Sequence, residues 1–330
     1  MPILDTFTPD AFSLQTLTAA INNTKYLPGQ ISAMGLFDEQ SVSTLSVNIE
    51  ERDGVLDIVD PRPRNAEADP LSSDGPRRMR NFIVPHMPQR ATLMADEVQN
   101  VRVFGTDSQA EAIETRRNEK LQRMRRNIDY TMEYHRLQAV MGNYIDENGD
   151  TTSLFTKFSV SQQTLSMGFN ASSSSSARTK ITTLHEYVES ALDGVPYSGI
   201  EVACSSGFWK ALLEDKDAKE TYLNWQAAAD LRMDPRESFV WQGVRWTRYR
   251  GTSTVVVTAD AAYAIPTGVP DMFLTRFAPA NYVETVNTLG LPYYAKAIPM
   301  EFDKGFKLEA QSNALNICTR PRAVVKLTKS

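Results

Sequence analysis

A long stretch without helix-breaking residues constrains the fold of this chain more than any other feature. Neither proline nor glycine occurs between residues 106 and 141. Mostly apolar side chains, with one histidine, recur there at steps of three and four residues, which predicts one face of a helix. These side chains are Leu121, Met124, Ile128, Met132, His135 and Ala139. Asp107 or Ser108 can cap the start, and Gly142-Asn143 ends the run. A helix over 107–141 would be a rod of roughly 50 Å, at about 1.5 Å per residue.

The other faces of this predicted helix carry interleaved charge. Its arginines include Arg116, Arg117, Arg123, Arg125 and Arg126. Acidic residues lie among them, as is typical of a helix side that faces solvent or another subunit. The chain has 35 Lys+Arg against 40 Asp+Glu and a formal net charge of -5, whereas a dedicated nucleic-acid binder leans basic. We therefore favour a solvated or subunit-facing side, and a local basic patch toward nucleic acid is the alternative.

Residues 41 to 90 predict two long extended limbs. On the outgoing limb, Leu45, Val47 and Ile49 alternate with polar residues, which is the period of a half-buried strand. On the returning limb, Phe82 and Val84 share one face. Two strands alone are not stable in water, so these apolar residues need a partner surface. We expect a neighbouring subunit to provide it.

The limbs are joined by a polar tip, residues 61–76, which holds four prolines and a glycine and favours no regular structure. Charge is segregated, because acids cluster on the outgoing limb and Arg77, Arg78 and Arg80 on the returning one. A loop of this length that cannot bury itself is usually functional or disordered. Residues 1–38 are also too sparse in apolar side chains to form a core. We interpret them as an arm, and we expect an obligate assembly in which arm and limbs lie on neighbouring subunits.

The second half of the chain has the pattern of a compact α/β module. A run of five serines, Ser172–Ser176, predicts a flexible joint before it. Residues 178–265 then alternate helical and extended patterns, with strands expected at 200–203, 240–249 and 254–258. Further extended patterns at 308–318 and 323–327 lead to the end of the sequence.

The sequence offers little chemistry. It contains no nucleotide-binding, metalloprotease or serine-hydrolase motif. Cys204 lies between a predicted strand and helix, but that junction explains the small residues around it without catalysis, and we expect Cys204 and Cys318 to be buried free thiols. Three histidines and two cysteines cannot build a zinc site. The segment DENGD at 146–150 lacks the spread of ligands in a calcium loop and predicts a hairpin turn. We expect no catalytic residue, no cofactor and no metal.

The ends and the hydropathy of the chain point away from a membrane. The N-terminal sequence MPILDTFTPDAFSL has no basic region and no long apolar run, so we expect no signal peptide. No stretch approaches the roughly 18 apolar residues of a membrane span.

The order of these elements resembles that in tailed-bacteriophage major capsid proteins of the Hong Kong 97 fold. That order is arm, extended loop, long charged helix, α/β module and return strand. The run from Arg90-Ala-Thr-Leu through Asp96 to Leu137 is similar to the lambda-like capsid protein E family. The stretch from Pro292-Tyr293-Tyr294 through Asp303 and Gln311 to Arg320-Pro321-Arg322-Ala-Val-Val-Lys326 is also similar to it. The resemblance covers nearly the whole chain.

The resemblance implies an α+β fold with a role for each segment. Residues 1–38 would be the N-arm, and 39–92 the E-loop reaching over an adjacent subunit. Residues 93–177 and 280–318 would form the P-domain with 107–141 as its spine helix, and 178–279 with 319–330 the A-domain. The implied inter-subunit contacts of the E-loop are Leu45, Val47, Ile49, Arg77, Arg78, Arg80, Phe82 and Val84. The spine-helix arginines Arg116, Arg117, Arg123, Arg125 and Arg126 become candidates to face DNA.

The resemblance also implies a structural protein with defined partners. Its copies would assemble as hexamers and pentamers into the icosahedral head shell of a virion, around packaged double-stranded DNA. Assembly would take place in the host cytoplasm as a procapsid, with a scaffolding protein and a portal, and a decoration protein as a further partner. Some relatives carry an N-terminal scaffolding segment that has no room before residue 39, so we expect a separate scaffolding protein or a processed product.

Two alternatives to this function remain open at this point. One is an encapsulin-like compartment, which shares the fold and encloses a protein cargo, and the other is a soluble enzyme. One relative also cross-links its loop through Lys and Asn, but the tip at 61–76 holds no lysine, so we predict no such cross-link here.

Overall fold

The computed structural model describes residues 13–23, 29–51, 78–97, 109–169, 177–216, 218–219 and 238–329. The helices are α1 (Leu14–Asn23), α2 (Gln30–Ala33), α3 (Gln109–Val140), α4 (Leu154–Phe158), α5 (Ala177–Leu192) and α6 (Ser206–Glu214). The first eight strands are β1 (Phe37–Ser41), β2 (Ser46–Glu51), β3 (Arg78–Ile83), β4 (Met87–Met94), β5 (Asn143–Ile145), β6 (Thr151–Ser153), β7 (Thr164–Ser166) and β8 (Gly199–Cys204). The others are β9 (Ser238–Trp241), β10 (Val244–Arg248), β11 (Ala261–Thr267), β12 (Phe273–Phe277), β13 (Tyr294–Pro299), β14 (Gly305–Ser312), β15 (Ala314–Cys318) and β16 (Val325–Thr328).

The long helix is confirmed. Helix α3 has 32 residues, which at about 1.5 Å each gives a rod of about 48 Å. It ends where expected, because Gly142 follows with a φ of 83° that L-residues with a side chain rarely adopt. A side chain at Gly142 would also collide with the Phe155 ring of α4. The helix therefore stops at a residue that both its backbone angle and its neighbour require to be glycine.

The second half of the chain forms a six-stranded sheet in the order β7-β16-β11-β8-β10-β9. The expected single strand over 240–249 is wrong, because β9 and β10 are two antiparallel strands joined at Gln242-Gly243. Both turn residues have positive φ, 54° and 76°, as in the tight turns whose twist suits a hairpin. The expected strand at 254–258 is absent from the strand assignments of this described segment. The predicted hairpin turn at 146–150 is confirmed between β5 and β6.

Two three-stranded sheets lie beside α3. One has the order β1-β12-β15 and the other β13-β14-β4. Strand β12 falls within the range expected for the A-domain, yet it pairs with β15 and β1. Strand β4 falls within the range expected for the E-loop, yet it pairs with β14 along its whole length. The strand pairings thus cross the expected boundaries of the E-loop and the A-domain. The division into these domains stays a proposal.

Buried apolar side chains form two clusters. The larger one joins the six-stranded sheet to α5, α6 and the end of α3, with Leu137 and Val140 contributed by that helix. The smaller one joins Leu121, Met124, Ile128 and Met132 of α3 to the β13-β14-β4 sheet and to α1. Helix α3 therefore passes from one core into the other along its length.

The arm packs on its own chain. Leu17 and Ile21 of α1 are fully buried in the smaller cluster. Thr18 Oγ1 accepts a hydrogen bond from Ala295 N of β13 at 3.2 Å, and Asn22 Nδ2 donates to Tyr293 O at 3.0 Å. The expectation that the arm needs a neighbouring subunit is therefore wrong for α1, because β13 and α3 already cover its apolar face.

Candidate assembly surfaces

The hairpin of β2 and β3 lies within the expected E-loop. Its antiparallel register sets Val47 opposite Phe82 and Ser46 opposite Ile83. Opposite residues share a face of a two-stranded sheet, and the faces alternate along each strand. The hairpin therefore has one face with Val47, Ile49 and Phe82, and another with Met79 and Ile83.

The first face of the hairpin is covered by its own chain. Phe82 is only 1% exposed, and its ring lies 5.2 Å from the Tyr144 ring and 6.0 Å from the Phe158 ring. Val84 is buried, and Val47 and Ile49 pack on the same cluster. The surface of Phe82 and Val84 is thus already covered inside the subunit, and the expectation that these four residues make inter-subunit contacts stays a prediction.

The second face is open. Met79 is 72% exposed and Ile83 46%. Leu45, which precedes β2 and stands outside the strand register, is also exposed, at 66%. Of this group the sequence pattern singled out only Leu45. Met79 and Ile83 were missed because they stand at positions of β3 opposite in phase to Phe82, and the signal that finds them is the register with β2.

The three arginines of the returning limb have different outcomes. Arg80 lies with its guanidinium 5.2 Å from the Phe158 ring centre, so it stacks on its own chain. Arg78 opens β3. Arg77 lies outside the described residues, as does the tip at 61–76.

Arg125 of the spine helix is an internal structural residue. Its Nη1 donates to the Asn22 carbonyl oxygen at 2.9 Å and also to that of Ile21, at the end of α1, where a cation is favoured by the helix dipole. Its guanidinium lies 4.5 Å from the Tyr293 ring centre, and its Nε 3.8 Å from Asp129 Oδ2. Burial raises the pKa of the Asp129 carboxyl, against the opposing effect of the Tyr293 hydroxyl that donates to it. Arg125 thus binds the end of α1 and the Tyr293 ring inside its own subunit, and a DNA-facing role for it stays an untested prediction.

The remaining arginines of the set divide by exposure. Arg117 is buried and donates to Asn118 Oδ1. Arg116, Arg123 and Arg126 are exposed, and Arg116 pairs with Glu119 at 3.0 Å one turn away. Steps of seven and three residues place these three arginines on one side of the helix.

A second exposed apolar region was missed by sequence reasoning. It covers the segment before β13 and the β13–β14 turn, with Val283 89%, Val286 65%, Leu289 66%, Ile298 57% and Phe302 88% exposed. Phe302 and Asp303 both have positive φ, 61° and 51°, an uncommon conformation for residues with side chains. The turn is held by Met300 N donating to Gly305 O at 2.8 Å. An apolar residue is thus presented on a fixed turn.

The described residues hold no arrangement for catalysis or metal binding. No three His, Cys, Asp or Glu side chains meet as a metal site within the described ranges. Cys204 and Cys318 are free and buried, as predicted. Burial raises the pKa of the Cys204 thiol well above its usual value and that of Cys318 to about 12, so both are poor nucleophiles. Among the described helices, none has the length and apolar character needed to cross a bilayer.

The fold is that of the Hong Kong 97 capsid class. The structure resembles the putative capsid protein of an Escherichia coli CFT073 prophage with a TM-score of 0.57, at 13% identity over 96% of this chain and 99% of that one. It also resembles the capsid of Myoviridae phage XM1 with a TM-score of 0.50, at 11% identity over 93% and 94%. At these identities the likeness shows the fold, and the fold expected from the sequence is confirmed.

The family follows from the sequence. The model of the phage major capsid protein E family matches residues 13–329, and the chain belongs to that family. It is similar to the major capsid protein of Salmonella phage Felix O1, at 26% identity over 95% of both chains. It is also similar to the major capsid protein of Pseudomonas phage KPP10, at 24% identity over 90% of this chain and 91% of that one. The chain is therefore a structural protein of a phage head shell, a component of the virion and not an enzyme.

Proposed function

We propose that copies of this chain associate as hexamers and pentamers that close into an icosahedral head shell around packaged double-stranded DNA. Assembly takes place in the host cytoplasm with a scaffolding protein and a portal, and a decoration protein is a further partner. The observation that carries the contact proposal is the open face of the β2–β3 hairpin. Its large apolar side chains project away from the cores that use the other face.

The energetics of this face suit reversible assembly. Full burial of one large apolar side chain contributes about 1.5–3 kcal/mol. Met79 and Ile83 of this face and the neighbouring exposed Leu45, which are partly covered already, therefore contribute a few kcal/mol together. Ion pairs at the edge of such a contact contribute little. A single contact is therefore weak and can be corrected during assembly. Many such contacts in a closed lattice are stable together, because each subunit is held at several places at once.

The experiment compares two substitutions at one exposed position. Met79→Glu introduces a charge on the open face, and Met79→Leu keeps the apolar surface and serves as the matched control. Because Met79 is 72% exposed, we expect both variants to keep the stability of the subunit to within about 1 kcal/mol, with the larger loss for Met79→Glu, which stands opposite Glu50 in the hairpin. Electron microscopy and sedimentation should show shells for the wild type and Met79→Leu, and unassembled subunits or capsomers for Met79→Glu.

The outcomes separate two failures. Normal shells from Met79→Glu would refute the hairpin contact and leave the head-shell function intact. Only small particles from the wild type, in the presence of its scaffolding protein, would refute self-assembly into a shell.

Contact with DNA is a further part of the proposal. Exposed Arg116, Arg123 and Arg126 lie on one helix side, and we assign that side to the interior of the shell. Their acidic neighbours, such as Glu119, keep the contact loose and independent of DNA sequence. Replacing the three arginines by alanine should leave shells intact and lower the retained DNA per filled particle, measured from the ratio of absorbance at 260 and 280 nm. An unchanged absorbance ratio would contradict the assignment of this helix side to the interior of the shell.

A further inference from the structure

The two cores of the subunit meet at a short polar stretch of α3. The helix contributes Leu121 to Met132 to one core and Leu137 to Val140 to the other. Between them stand Glu133, His135 and Arg136, which are 6%, 6% and 3% exposed. Charged residues are almost never this buried unless they are paired. The partners of Glu133 and Arg136 therefore show what this stretch holds together.

Glu133 holds the N-terminal segment. Its Oε1 accepts from Ile31 N at 2.8 Å, and its Oε2 accepts from Ser32 N at 3.1 Å and Ser32 Oγ at 2.7 Å. Gly29 lies so close that a side chain there would stand 2.1 Å from Glu133 Cδ. Residues 29–33, called the clip from here on, are thus fitted to one carboxylate.

The same carboxylate reaches the six-stranded sheet. The Tyr249 hydroxyl, one residue beyond β10, donates to Glu133 Oε1 at 3.2 Å. Burial and the neighbouring Glu133 charge raise the pKa of Tyr249, so the phenol stays protonated and able to donate. Gln30 of the clip adds a second link, because its Nε2 donates to Arg248 O at 3.3 Å and its Oε1 accepts from Arg250 N. The clip therefore bridges the spine helix and the end of β10.

Arg136 makes the matching link on the side of the β1-β12-β15 sheet. Its Nη2 donates to Glu39 Oε1 of β1 at 2.5 Å, and its Nε to Asn316 Oδ1 of β15 at 3.4 Å. Asn316 Oδ1 also accepts from Thr275 Oγ1 of β12 at 2.7 Å. All three strands of the sheet are thus tied to α3 one turn from Glu133.

These links differ in kind from the packing on either side. Apolar contact is non-directional and tolerates sliding, whereas a hydrogen bond weakens steeply when its length or angle changes. Apolar packing in the two cores provides most of the stability, and the hydrogen bonds of the polar stretch between them depend on a specific geometry. The polar stretch thus lies where the half of the subunit with the six-stranded sheet meets the half formed by α1, β13 and the first part of α3.

We propose that the contact of Glu133 with the clip and Tyr249 sets the angle between these two halves and thereby the curvature of the assembled shell. The inference rests on the proposed self-assembly. A closed shell contains many copies of the subunit, so a small change in the angle within each copy accumulates around the particle. Weakening the hydrogen bonds of Glu133 should therefore affect the uniformity of shell diameter more than the fold of the subunit.

The test compares Glu133→Gln with a variant weakened inside one core. Leu184→Ala in α5 removes a fully buried side chain of the larger cluster and leaves the polar stretch untouched. Both are assembled with the scaffolding protein and imaged by electron microscopy. Glu133→Gln should give a broader distribution of shell diameters or open sheets, and Leu184→Ala fewer shells of wild-type diameter.

Tyr249→Phe provides the second measurement, because it removes the hydroxyl and keeps the ring. It decides the question if Glu133→Gln does not fold or forms no particles. Uniform shells of wild-type diameter from Glu133→Gln, or from Tyr249→Phe in its place, would overturn the inference. Absence of shells from the wild type would instead count against the proposed self-assembly.

Discussion

Lowering the pH should weaken the subunit through one buried side chain, His135. It is 6% exposed in the polar stretch of α3, and burial lowers its pKa from 6.5 to about 4. The folded protein therefore binds this proton less readily than the unfolded chain does. The associated stability is fully present above about pH 6.5 and is lost as the pH falls toward 4, because protons then favour the unfolded chain.

The size of the effect follows from the two pKa values. One pKa unit corresponds to about 1.36 kcal/mol, so a shift from 6.5 to about 4 gives a loss of about 3 kcal/mol once the pH is below both values. At pH 5 the unfolded side chain is almost fully charged and the folded one almost neutral, which gives a loss of about 2 kcal/mol. The loss at pH 5 is on the order of a fifth of the stability of an ordinary domain, which is about 5–15 kcal/mol.

The assay is urea unfolding of dissociated subunits at pH 7 and pH 5, for the wild type and for His135→Leu. The variant cannot take up the proton, so it should lose about 2 kcal/mol less between the two pH values. Carboxyls such as Asp129, whose raised pKa acts in the opposite direction, are common to both proteins and cancel in the difference. An equal loss in the two proteins would refute the assignment of a buried, neutral His135.

Three further predictions concern other positions. Arg125→Ala should destabilise the subunit by about 3 kcal/mol in denaturant unfolding because it leaves buried partners unpaired, whereas Arg126→Ala on the exposed side should stay within about 0.5 kcal/mol; similar losses would contradict the division of the arginines. Cys204 and Cys318 should resist iodoacetamide in the folded protein and react after unfolding, as followed by mass spectrometry, and rapid native labelling of either would show it to be accessible. Gly305→Ala should lower the melting temperature because the backbone φ is 152° and a side chain would meet β4; an unchanged melting temperature would contradict that crowding.

The sequence predicts α3 and the existence of the hairpin well, because their signals are local. A run free of proline and glycine with apolar steps of three and four needs no long-range information to be identified as a helix. Alternation also identified Val47 and Phe82 as members of an apolar face. It could not show whether the chain itself or a neighbour covers that face, since this depends on Phe158 and Tyr144, more than sixty residues downstream in sequence.

Other features depend on pairings that no local pattern contains. The residues on both sides of the Gln242-Gly243 turn have extended patterns. The segment 240–249 therefore has the pattern of one strand although it forms two. The contact of Glu133 with the clip joins positions about a hundred residues apart, and an isolated Glu beside an apolar helix face gives no sign of it. The sequence therefore predicted the region of the candidate contact surface. Identifying the individual exposed residues required the strand register and the burial of each side chain.

Packing within the subunit reduces the apolar surface that remains for contacts between subunits. Helix α1, Phe82, Val84 and Arg125 were natural candidates for such contacts, and all are engaged within the chain. The large apolar side chains left open on the described surface are concentrated in the hairpin and in residues 283–302. Each of these regions can bury only a few side chains, so one contact alone cannot hold two subunits firmly. On the proposed contacts through these two regions, closing the lattice stabilises the shell, and we expect shell formation to depend on subunit shape and hence on the polar stretch of α3.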